Sequence, residues 1–138
     1  MAVVDGFQHW AYTNPHDAAD PAACDAAWDR LWGRFMAGID WSGLDDARVT
    51  GWHRKQHIYR YPFYYVEYGL AQLGAVQVWR NSLRDQAAAI AAYRQALALG
   101  RTRTLPELFA AAGARFAFDS ETMRAAVDLI EEQITGLS

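Results

Sequence analysis

Two histidines, His53 and His57, stand four residues apart in the run His53-Arg54-Lys55-Gln56-His57. On a helix this is the spacing of the paired imidazoles in a His-Glu-x-x-His zinc site. Such a site needs a carboxylate directly after the first histidine, to take a proton from metal-bound water. Here that place holds Arg54, followed by Lys55, so the local field repels a dication and no base is present. The residues therefore read as a surface histidine and a cleft histidine, with no metal ligand among them.

A second pattern lies just downstream. Tyr61, Tyr65, Tyr68, Gln72 and Trp79 fall on one stripe of a 100° wheel, with Phe63, Val66, Leu70 and Leu73 opposite. A neutral phenol has a pKa near 10, so at neutral pH it is a donor suited to an oxyanion. On spacing alone the row reads more readily as core aromatics whose hydroxyls are satisfied internally. Glu67 lies off the stripe and reads as a structural partner of an arginine. Cys24 is the only cysteine and sits on an apolar helix face, which favours inert packing over nucleophilic use. The six tryptophans read as core and interface residues. No Gly-rich phosphate loop, nucleophile elbow or paired-carboxylate motif occurs.

The elements that must position these residues are helices, for strand-type alternation is nowhere sustained. Pro62 suits a first helical turn, and only two glycines, Gly69 and Gly74, interrupt the stretch to Trp79. The expectation is an all-α fold, an irregular multi-helix bundle around a central buried helix over about 62–80. Before it, the spacing predicts a helix over Val3–Tyr12 with Val4, Phe7 and Ala11 on one side. Asp20-Pro21 starts the next, with Cys24, Trp28, Leu31 and Phe35 on one face. A loop covers 39–44, and one or two helical turns follow from Asp45. After it, Ser82 reads as the start of a helix ending at Gly100. Thr104-Leu105-Pro106-Glu107 is a capping box for a short helix that Gly113 ends. Asp119 or Ser120 starts the last helix, with Met123, Val127, Ile130 and Ile134 at helical spacing. Residues 91–100 resemble a piece of a tetratricopeptide helix, but no second copy follows at that period.

With 138 residues, 52% of them hydrophobic and 14% aromatic, the chain has the size and composition of one folded domain. The net charge of −3, with acids and bases interspersed, argues against nucleic acid or an anionic membrane as partner. The N-terminus has no basic region and long apolar run of a targeting segment, and no stretch reaches the roughly 20 apolar residues of a membrane span. A cytoplasmic protein is expected.

The run His57-Ile58-Tyr59-Arg60-Tyr61-Pro62-Phe63-Tyr64-Tyr65-Val66-Glu67-Tyr68-Gly69-Leu70-Ala71-Gln72-Leu73-Gly74-Ala75 resembles the C-terminal part of oligoendopeptidase F-type enzymes. These belong to the thimet oligopeptidase-like zinc metallopeptidases. The similarity extends through 100–113 and back through 4–10 and 40–44, and so over essentially the whole chain. The resemblance implies a single helical domain over 1–138, the C-terminal fragment of such a catalytic domain without its zinc-binding segment. It implies short peptides as substrates and zinc as the cofactor of the complete enzyme, with none held by this chain. It also implies site roles: Tyr68 on the developing oxyanion, His57 on substrate and oxyanion, and Tyr61 as a second substrate contact. No His-Glu-x-x-His is present, so the isolated chain is expected to be inactive. Its partner would be the missing catalytic half or a second copy. The rival expectation is a non-catalytic helical module, derived from that family, that binds peptides or another protein.

Overall fold

Asp20 caps its helix as its place before Pro21 predicts, accepting a hydrogen bond from the Ala22 amide at 3.0 Å. The computed structural model describes residues 1–137, and every regular element among them is helical. In order these are α1 (Ala2–Thr13), α2 (Pro21–Phe35), α3 (Asp45–Val49), α4 (Gln56–Arg60), α5 (Tyr65–Arg84), α6 (Gln86–Leu99), α7 (Leu105–Ala111) and α8 (Ser120–Gly136). Single 3₁₀ turns occupy Asp17–Ala19 and Gly51–Arg54. No described helix is long and apolar enough to cross a membrane. The chain divides into two compact units, Met1–Gly69 and Leu70–Ser138.

In the first unit, α1 packs on α2 and buries Val3, Val4, Phe7, Cys24, Ala27 and Trp28. Trp28 is 0% exposed, and its indole N–H donates to the Arg48 carbonyl at 3.0 Å, which pins α3 to α2. The rings of Phe7 and Trp28 meet edge to face at 5.5 Å, a favoured geometry for opposed quadrupoles. Gly51 is required here, because a Cβ would lie 2.9 Å from the Trp28 indole nitrogen. Cys24 is buried, its thiol donating weakly to the Ala18 carbonyl. Burial pushes its pKa up, and the nearby Asp25 and Asp20 carboxylates add to the effect. The thiolate is thus disfavoured, as the packing role requires.

The second unit is held by side chains that reach across its connections. Gln77 of α5 is buried, and its amide pairs with both backbone groups of Arg115: it accepts from the amide at 2.9 Å and donates to the carbonyl at 3.0 Å. Phe109 of α7 lies on Gly74, whose absent Cβ would stand 2.8 Å from the ring. Glu107 closes the expected capping box, accepting from the amide and the hydroxyl of Thr104, each at 2.8 Å. Gly113, at φ 73°, follows α7 as expected, and Asp119 caps α8 through the Thr122 amide at 2.8 Å.

Three expectations need correction. The central helix begins at Tyr65 and not at Pro62, because Phe63 takes a left-handed φ of 60° that no α-helix accommodates. It is also not buried: of its residues only Leu73 and Gln77 are fully covered. Ser82 starts nothing, since α5 runs on to Arg84 and the Ser82 hydroxyl donates back to the Trp79 carbonyl at 2.7 Å. Asp85 caps α6 instead, accepting from the Ala88 amide. On α8 the evenly spaced Met123, Val127, Ile130 and Ile134 are exposed, while Thr122 and Leu129 form its buried side.

Candidate functional site

His57 sits on α4 and Tyr68 on the first turn of α5, with the four-residue break Tyr61–Tyr64 between the two helices. The break is held from a distance. Gln8 of α1 is 1% exposed, and its side-chain carbonyl accepts from the Phe63 amide at 3.2 Å. The Phe63 ring is clasped by His9 at 4.9 Å and by Tyr12 at 5.1 Å, centroid to centroid. A bulky residue at positive φ is strained and persists only where its surroundings hold it. Here the hydrogen bond to Gln8 and the two flanking rings do so.

The turn folds the chain back so that His57 becomes the centre of a tyrosine cluster. Its ring lies 5.8 Å from Tyr61, 5.6 Å from Tyr64 (stacked at 15°), 5.0 Å from Tyr65 and 5.9 Å from Tyr68. The last two contacts are edge to face. Tyr64 and Tyr65 each meet Tyr68 as well, at 5.5 and 5.3 Å. The Tyr68 hydroxyl stands 3.5 Å from His57 Nε2. That is at the outer limit of a hydrogen bond, so the hydroxyl is not consumed by this partner and can turn to an incoming acceptor.

All three residues expected at the site, His57, Tyr61 and Tyr68, are therefore brought together. Tyr61 and Tyr68 stay open to solvent, 54% and 42% exposed, and His57 is half-buried behind them. Their hydroxyls are not sealed in a core, which removes the packing reading of the row at these two positions. Two members of the site were missed by the wheel. Tyr64 lies off the Tyr61–Tyr65–Tyr68 stripe, and only the non-helical break brings it onto His57, so the wheel carried no signal for it. Gln8 interrupts the apolar side of α1 beside Phe7, and a polar residue on a buried stripe was the signal there. Tyr59 stays outside the cluster and pairs with Trp52 at 6.3 Å.

The site presents phenol donors and one imidazole to solvent. Such donors can hydrogen-bond an acceptor oxygen and stabilise negative charge that develops on it. Zinc, which the resemblance implies for a complete enzyme, finds no fitting donor set among the described residues. His53 is in the 3₁₀ turn, stacked edge-on against Trp52 at 4.2 Å, while His57 faces the tyrosines. Among the described residues no three His, Cys, Asp or Glu side chains converge as a metal would need. No family model, curated protein or solved structure matches the chain.

Proposed function

We propose that this chain is the substrate-binding part of an oligoendopeptidase F-like zinc metallopeptidase acting on short peptides, the His-Glu-x-x-His being carried on a segment outside it. The observation that supports this reading above all is the gathering of His57, Tyr61 and Tyr68, which the resemblance singles out, on one open face. In this reading Tyr68 donates its hydroxyl to the carbonyl oxygen of the bond under attack, and the bond strengthens as charge grows there. His57 holds the phenol in place from behind and contacts the peptide, and Tyr61 contacts it further along. Donors already fixed before substrate arrives need no reorganisation in the transition state, and this is why such groups contribute to turnover and not only to binding.

The test is to assay a quenched fluorescent peptide with the chain alone, with a His-Glu-x-x-His segment alone, and with both together. Turnover is expected only from the pair, and the Tyr68→Phe chain should fail to support it. Turnover by the chain on its own would defeat the proposal.

The second reading is a helical module of the same ancestry that binds peptides or proteins without cleaving them. The exposure of the phenols favours it, since an open donor row needs no metal to hold an extended peptide. Calorimetry separates the two: peptide binding by the chain alone, with no gain in turnover on adding the completing segment, selects the module.

A further inference from the structure

On α5, Leu73, Gln77, Arg80 and Arg84 stand at i, i+4, i+7 and i+11, the spacing of one helix face. Leu73 and Gln77 are buried, and the two arginines lie on the same side of the helix. On α8, Ala125, Asp128, Leu129 and Glu132 share a face in the same way, and Leu129 is buried on it. The two faces meet at a hollow of about 410 Å³ within residues 70–138. Arg80, Leu83 and Arg84 line it from α5, and Asp128, Leu129 and Glu132 from α8. Its size falls in the roughly 300–1,000 Å³ range of small-molecule sites.

Arg80 and Arg84, four residues apart, repel one another along α5, and Asp128 and Glu132 do so along α8. Facing pairs of opposite sign ordinarily close as ion pairs between the helices. Here none of the four side chains makes an ion pair or a hydrogen bond with another described residue. The Arg80 Nε–H is buried and has no acceptor among the described residues. A buried donor without a partner carries a desolvation cost that an incoming acceptor would relieve. These four are all the charged residues of the lining, so its formal charge is zero. A bare anion would meet two carboxylates there, and a bare cation two guanidiniums. A molecule carrying both charges satisfies both walls.

We infer that this hollow binds a small zwitterion with an apolar body, a free amino acid or a dipeptide. Arg80 and Arg84 hold its carboxylate through charge-assisted bonds of the forked kind that guanidinium favours, and Asp128 and Glu132 hold its ammonium. Its apolar side chain lies on Leu83 and Leu129. No residue of 1–69 takes part, so the inference does not rest on the peptidase reading.

Isothermal titration calorimetry of the full 138-residue chain with leucine and with leucyl-leucine tests this and tells the amino acid from the dipeptide. At least one of the two is expected to bind. Its amide, which lacks the carboxylate, and its N-acetyl form, which lacks the ammonium, should each bind about tenfold or more weakly. Arg84→Gln should weaken the unblocked ligand by a similar factor and leave the amide unaffected, because the amide has already lost that contact. Glu132→Gln should likewise weaken the unblocked ligand and spare the N-acetyl form. Both side chains are exposed, so both variants should fold, which circular dichroism checks. Binding of neither zwitterion overturns the inference, since the two walls then serve only one another. Blocked forms that bind as tightly as the parent also overturn it. So does binding indifferent to both substitutions, which would place the ligand elsewhere and leave the peptidase reading untouched.

Discussion

The hydroxyl of Tyr68 stands 3.5 Å from Nε2 of His57, although the two residues belong to different helices separated by a left-handed residue. The turn, and not a continuous helix, sets this distance. Two local elements therefore meet at one catalytic candidate, and each can be tested.

Removing the Tyr68 hydroxyl leaves the exposed ring in place, so Tyr68→Phe should fold as the native chain does. On the proposed peptidase reading, kcat of the completed enzyme should fall roughly a hundred- to a thousandfold with KM little changed, the mark of a contact made in the transition state. On the same reading His57→Ala should lower kcat and raise KM together, since it would remove a substrate contact along with the ring beside Tyr68. Steady-state kinetics on one peptide separates the two patterns; unchanged kcat in Tyr68→Phe removes the oxyanion role.

Gln8 is a positioning residue for that site. Gln8→Ala leaves the Phe63 amide without its acceptor and should cost about 1–3 kcal/mol in urea unfolding. A merely structural loss would stop there. The sharper readout is hydrogen exchange, in which the Phe63 amide should lose protection ahead of the α1 and α2 amides. Equal loss across the unit would show that Gln8 does not hold the turn.

Gly74 and Phe109 should behave as a coupled pair. Gly74→Ala places a methyl 2.8 Å from the ring and should destabilise by about 1–3 kcal/mol, against the gain alanine normally brings to a helix. In a Phe109→Leu background the penalty should shrink. A double-mutant cycle measures the coupling, and additive effects would mean that the ring does not fill the glycine's space.

Acid should loosen the helix starts. The hydrogen bond from the Thr122 amide lowers the Asp119 pKa, with the nearby Thr122 hydroxyl and Arg115 adding to the effect. The Thr104 amide and then its hydroxyl do the same for Glu107. A carboxyl whose folded pKa is lowered contributes stability that is complete above its ordinary value of about 4 and is lost as pH falls through the lowered one. Urea midpoints should therefore be flat above that range and fall below it. Asp119→Asn and Glu107→Gln should flatten the acid limb; an unchanged limb in both would place the acid sensitivity elsewhere.

What the sequence determined by itself is whatever closes within about four residues. Asp20, Thr104 with Glu107, Gly113 and Asp119 mark helix ends because the groups they satisfy lie in the next turn of chain. Ser82 and Asp85 show the limit even there, since both are cap residues and the serine instead bonds back within α5. Only the tertiary structure decided the rest. The break at Phe63 depends on Gln8, fifty-five residues earlier, so no local pattern near Pro62 could disclose it. The gathering of Tyr64 and Tyr68 on His57 follows from that break. The α8 stripe has the spacing of a core face, but burial is fixed by the surfaces the fold sets against a helix, and these meet Thr122 and Leu129 instead.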